Sequence, residues 1–156
     1  MFKESVAGIG GLVFFVAILI IPVLFIMGAE WASEHILPWA SGLSVILFII
    51  EISIILPLSI PRKTRLFASK ALINFSYVFG ITLWMEGLLL TLNIWGVGAV
   101  IVGLFLAGVG VVPVAFLACM FNGLWAFVLE LTLLVIITYV NRIGAFSLAG
   151  SLEQET

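Results

Sequence analysis

Apolar residues run along this chain of 156 residues in five long stretches, and the polar positions gather between them. The stretches are Val6 to Ala29, Trp39 to Ile60, Ala71 to Asn93, Gly96 to Phe121 and Leu124 to Tyr139. About 20 apolar residues carry an α-helix across a bilayer. The expected fold is therefore all-α: a polytopic integral membrane protein forming a single transmembrane helical bundle over residues 1–156, with about five transmembrane helices and no extramembrane domain. The last two stretches are separated only by Phe121-Asn122-Gly123, and Asn-Gly is a strong turn signal. A competing break is Gly110-Val111-Val112-Pro113, where proline removes a backbone donor and either ends or kinks a helix. A four-helix count would make one of the last segments re-entrant. Lys3 precedes an apolar run as in a secretory signal, but Val6 to Ala29 is longer than a signal core. Met27 and Ala29 also make a poor cleavage site, so the run reads as the first membrane helix.

Charge sets an expected orientation. Arg62, Lys63, Arg65 and Lys70 all fall in the connection Pro61 to Lys70. The positive-inside rule places that loop in the cytoplasm and Lys3 with it, as suits a plasma (cell inner) membrane protein. Glu30, Glu34 and His35 are then outside. Trp31, Trp39, Trp95 and Tyr139 are expected at the outer interface and Trp125 at the inner one, since amphipathic rings prefer the headgroup level. Five spans leave the C-terminus outside and Arg142 as the one misplaced cation.

Composition supports this class and excludes others. With 64% hydrophobic and 9% charged residues and a mean hydropathy of +1.39, the chain has too little polar surface to cover a soluble globule. The net charge of −2 is small, and four of the six cations are localised in one loop rather than spread in a patch, so there is no nucleic-acid footprint. The basic loop reads as a topology determinant that touches anionic lipid headgroups. Cys119 is the only cysteine and lies in an apolar run. It reads as a small packing residue.

Three glutamates interrupt the apolar pattern. Glu51, Glu86 and Glu130 lie within membrane stretches, where a carboxylate costs several kcal/mol unless it is protonated, paired or facing water. Helical spacing puts Thr82, Glu86 and Asn93 on one face, Ser44 on the face of Glu51, and Asn141 on the face of Glu130. Counted along the expected spans, Glu51 lies near the bilayer centre, Glu86 in the outer half and Glu130 in the inner half. Two readings compete. In one, the glutamates line a hydrated pathway that relays protons or passes a cation, as in a channel or transporter subunit, with Thr82 and Asn93 extending it. In the other, each glutamate is interhelical hydrogen-bond glue, and the protein is a non-transporting anchor, sensor or scaffold acting through a partner.

Other features carry less chemistry. Ala99, Gly103 and Ala107 recur in steps of four, and Gly96, Gly103 and Gly110 in steps of seven, forming a small-residue seam. Ala7 and Gly11 offer a shorter one. Such seams let helix backbones approach closely, within one chain or between copies, and so small a bundle is expected to form a homo-oligomer or join membrane-complex partners. Glu30, Glu34 and His35 suggest either a divalent-metal or pH-sensing site or a solvated turn anchored by Trp31 and Trp39. No metal or cofactor is expected. The chain has no His-x-x-x-His, Cys-x-x-Cys or Gly-x-Ser-x-Gly motif, and the glutamates look staggered in depth, so an enzyme is not expected.

Overall fold

The computed structural model describes the backbone of residues 2–106 and 110–153, with side chains for residue 20 and residues 24–61, 63–106 and 110–150. The described chain is helical throughout apart from short turns. Helix α1 (Phe2–Ile50) runs into a π-helical turn (Glu51–Ile55) and then α2 (Leu56–Ser59). A 3-10 turn (Arg62–Thr64) leads to α3 (Arg65–Phe105), α4 (Val111–Phe121) and α5 (Trp125–Glu153). Three helical runs among the described residues are long and apolar enough to cross a membrane: Leu24–Ser59, Arg65–Phe105 and Trp125–Gly150. Only 17%, 22% and 22% of their most apolar windows are buried inside the chain. Most of their surface is therefore apolar and outward-facing, as lipid requires.

The expected count of five separate spans differs from this architecture in three places. Residues 30–38, expected as an outer loop, are helical and fuse the first two stretches into one element. Nothing there compels a break. His35 Nδ1 donates to the Trp31 carbonyl at 2.9 Å and its ring stacks on the indole at 4.7 Å, a pairing that only a helical turn permits. Pro38 removes a single backbone donor. As a result Lys3 and the basic connection lie at opposite ends of one helical run, whereas the sequence reading placed them together. At ~1.5 Å per residue α1 is roughly 73 Å long, more than twice the ~30 Å hydrocarbon thickness.

The fourth stretch is not one helix. Its first part continues α3 beyond a kink at Gly96, whose φ of 79° and ψ of −175° suit only glycine. Its second part is α4, which folds back on α3 so closely that a β-carbon on Gly103 would stand 3.0 Å from the Val111 Cα. Both candidate breaks are therefore used. Pro113 is the third residue of α4, where its missing N–H would have had no partner anyway. Asn122-Gly123 ends α4 with Gly123 at φ 70° and the Leu124 amide donating to the Cys119 carbonyl at 2.9 Å, the geometry of a left-handed helix cap.

The third difference is α5, which continues well past Tyr139. Asn141 is buried within it and hydrogen-bonded, and the Arg142 guanidinium lies 5.5 Å from the centre of the Tyr77 ring. The polar residues that appeared to end the span thus have partners inside it.

Helix α3 is the centre of the packing, with α1, α4 and α5 against it. Ser69 Oγ donates to the Ala145 carbonyl at 2.9 Å, Gly144 sits by Leu72, and Gly80 by Thr138, so α5 runs antiparallel to α3. The outer part of α1 is likewise antiparallel to α3, from Ser44 beside Thr82 to Ile55 in a cluster with Ala68 and Leu72. Ile26, Leu88, Val100 and Val111 form a second cluster, and Leu83, Ala115 and Leu131 a third. Cys119 is fully buried, in keeping with a packing role.

Candidate functional site

Helical periodicity places Ser44 and Glu51 on one face of the first run and Thr82 and Glu86 on one face of α3, and packing turns both faces toward the same interior. Ser44 and Thr82 hydroxyls meet at 3.0 Å, both buried, and Thr82 Oγ1 also donates to the Val78 carbonyl at 2.9 Å. Two helical turns further along, the Asn141 amide of α5 donates to Glu51 Oε2 at 2.9 Å. Glu51 is 6% exposed and Asn141 1%, so this bond joins two side chains removed from any solvent. Glu51 opens the π-helical turn, whose wider winding closes with the Leu56 amide on the Glu51 carbonyl. Such turns insert one extra residue into a helix and re-aim its side chains, and they recur at functional positions.

One turn on the other side of Thr82, Glu86 lies beside Glu130, and both line the same two cavities. A hydrogen bond between two carboxyl groups needs a proton on one of them. Glu86 is 8% exposed, whereas Glu130 is exposed at the surface of the chain. Glu86 and Glu130 therefore share one level, and the expected staggering of the three carboxylates at three depths is corrected to two levels. The cause is the direction of α5: five spans would run it parallel to α3, whereas it runs antiparallel, so Glu130 near its start meets Glu86 in the later part of α3.

Two cavities join at this pair. One, of about 440 Å³, is lined by Glu34, Pro38 and Asn93, and the other, of about 550 Å³, by Ser44, Phe48, Phe79 and Thr82; both touch Ser41, Glu86 and Glu130. Asn93 is exposed and lines the first cavity together with Glu86 and Glu130. No Lys, Arg or His lines either cavity.

The remaining predicted residues lie elsewhere. Lys63 and Lys70 are exposed and Arg65 half-buried at the end of the bundle where α2 turns into α3; the side chain of Arg62 is outside the described residues. Arg142 lies toward this same end, because α5 is antiparallel to α3. In the small-residue seam, Gly103 and Gly110 are buried against one another, a β-carbon on Gly110 falling 2.7 Å from the Gly103 carbonyl oxygen. They pack the α3–α4 hairpin within the chain. Ala99 is half-buried, and Ala107 is outside the described residues, as are the side chains of Ala7 and Gly11. Glu30, Glu34 and His35 lie on the continuous α1, and among the described residues no group of three acidic, His or Cys side chains could hold a metal ion.

The aromatic residues regroup as well. Trp31, Trp39, Trp95 and Trp125 are all exposed and belong to the end of the bundle away from the basic turn, while Tyr139 lies on the α5 segment that passes Tyr77. Trp125 and Tyr139 thus exchange the ends assigned from five spans. Asn141 was recognisable as a polar residue on the Glu130 face, but its pairing with Glu51 depends on a helix-to-helix register that no local spacing encodes. Comparison with protein-family models, with curated proteins and with solved structures finds no match to this chain.

Proposed function

We propose that the protein provides a proton or cation pathway through the membrane, carried by the column Glu86–Glu130, Ser44–Thr82 and Glu51–Asn141. The observation that supports it best is the meeting of two carboxyl groups, Glu86 and Glu130, in the lining of both cavities, with no Lys, Arg or His among the described lining residues. Hydroxyls one turn away, ~6 Å along α3 at ~1.5 Å per residue, are donors and acceptors and can pass a proton on. Glu51 follows about two turns further on, ~10 Å. Intramembrane carboxyl groups on facing helices mark ion and proton routes in general.

The bilayer in this reading lies between the basic turn and the tryptophans. From Ile60 to Trp39, Lys70 to Trp95 and Trp125 to Ser147 each helix rises roughly 31–37 Å, one membrane thickness at ~1.5 Å per residue. Lys63, Arg65, Lys70 and Arg142 then share the cytoplasmic side, and Arg142 complies with the positive-inside rule instead of violating it. Five crossings, with 6–29 and 96–121 as complete spans, would need a chain reversal within 30–38 that α1 does not make. Labelling single cysteines placed at Lys3, Lys63 and Arg142 from either side of sealed vesicles separates the counts. Three crossings expose positions 63 and 142 on one side and position 3 on the other, whereas five put 3 with 63 and leave 142 opposite.

The competing reading, a scaffold or anchor held by polar glue, draws on the same two pairings, Glu51 with Asn141 and Glu86 with Glu130, because Gln can replace Glu in them without loss of shape. Flux from purified protein in liposomes, under proton, Na⁺ and K⁺ gradients, distinguishes the two. A pathway loses conduction in Glu86→Gln and Glu51→Gln while both variants stay folded. Full flux in both variants, or silence of the wild type under every gradient, leaves the scaffold reading standing.

A further inference from the structure

The two cavities at Glu86 and Glu130 have an opening that a simple transmembrane pore does not need. Helices α1 and α5 each pack on α3 and form no extended interface with one another. The groove between them is therefore floored by α3 and open along its length to the surroundings of the bundle. Phe48 on one wall is 38% exposed and Leu133 on the other 58%, and Glu130 stands exposed between them. In a bilayer those surroundings are lipid.

We propose that this groove binds a lipophilic organic cation, an ammonium or phosphonium carrying apolar substituents, which enters sideways from the bilayer. Its charge rests at Glu86 and Glu130, and its apolar groups lie against Phe48, Phe79 and Leu133.

Size, lining and charge converge on that ligand class. About 550 Å³, with about 440 Å³ adjoining, lies in the range of small-molecule sites. The walls are aliphatic and aromatic, and aromatic rings add an attraction for a desolvated cation. The polar groups are two carboxyls, with Ser41, Ser44 and Thr82 beside them and no basic residue in the lining. An inorganic divalent ion takes six or more oxygen ligands, and among the described residues no group of three acidic, His or Cys side chains is present to supply them. Anionic amphiphiles meet an acidic pair, and a neutral acyl chain leaves that pair without a complement. The inference deepens the pathway reading by naming a ligand for the same pair and rests on it only in taking that pair as the working site. Binding at equilibrium and flux are separate measurements, and either can fail alone.

The test is saturable binding of radiolabelled tetraphenylphosphonium to the full-length protein in nanodiscs, with empty nanodiscs as background and radiolabelled tetraphenylborate, of the same shape and opposite charge, measured in a separate assay. The expected result is saturable binding of tetraphenylphosphonium, none of tetraphenylborate, and a weakening of the former by at least roughly tenfold in Glu130→Gln and Glu86→Gln, as loss of a desolvated charge partner predicts. Val102→Ala, exposed and outside both linings, should bind as the wild type does. Leu133→Trp, at an exposed position where no packing is lost, should weaken binding by filling the groove, and it serves the test even where Glu86→Gln fails to fold. Binding no greater than in empty nanodiscs, equally saturable binding of tetraphenylborate, or full affinity in both Glu130→Gln and Leu133→Trp would overturn the proposal.

Discussion

The two levels of acid in this bundle use the same residue type in opposite settings. At Glu51 the carboxyl is sealed between the first helical run and α5, and its partner Asn141 is a neutral amide that is itself buried. At Glu86 the partner is another carboxyl, Glu130, which lies exposed at a groove. A lone acid with a neutral donor makes a bond that helix packing completes. Two acids side by side can share a bond only when one of them carries a proton, and these two stand at the lining of an open cavity. The comparison teaches that depth in the membrane does not by itself assign a glutamate its role; the chemistry of the partner and the access to it do.

The first way to break this contrast is to remove each acid in turn and read stability. Glu51→Leu leaves the Asn141 amide buried without an acceptor, and a loss of about 1–2 kcal/mol is expected in reversible unfolding from mixed micelles, the scale of a polar group stranded in an apolar interior. Glu51→Leu combined with Asn141→Leu should recover most of that loss, because two apolar groups replace a satisfied pair. A double variant as unstable as the single one would mean that Glu51 is held by more than Asn141.

Glu130→Leu sharpens the other side. Its side chain is exposed, and Glu86 keeps access to the polar lining of the cavities, so the expected change in stability is within ~0.5 kcal/mol. A loss as large as that of Glu51→Leu would show that both levels are packing devices and would favour the scaffold reading. The smallest expected effect is at the link between the levels. Thr82→Val removes the hydroxyl that meets Ser44, at a cost near 0.6 kcal/mol, the average for such bonds between membrane helices. In the pathway reading it lowers proton flux by more than that small destabilisation explains, and unaltered flux would take Ser44 and Thr82 out of the route.

Much of the site's raw material was legible along the chain. Glu51, Glu86 and Glu130 stood out against apolar surroundings, and a spacing of seven put Ser44 with Glu51, as a spacing of four put Thr82 with Glu86. The breaks at Gly110-Val111-Val112-Pro113 and Asn122-Gly123 were also visible, since proline and Asn-Gly act locally through backbone geometry. What went astray depended on relations between distant segments. Residues 30–38 read as a loop because charge and tryptophan clustered there, yet a helix tolerates both when Trp31 and His35 pair one turn apart. Gly103 and Gly110 read as a seam on one straight helix, and the turn between them makes them partners across a hairpin instead.

The all-α membrane class was thus determined by the sequence alone, because 64% apolar residues in long uninterrupted runs leave no other solvent for the chain. The faces of individual helices came from it too, since periodicity is a property of neighbouring residues. Only the tertiary structure decided which faces meet. The register of α5 against α3 paired Glu130 with Glu86 and Asn141 with Glu51, and it brought Arg142 to the basic end. Register follows from side chains packed across helices far apart in sequence, where a shift of one turn changes every pair at once, and no local pattern carries that information.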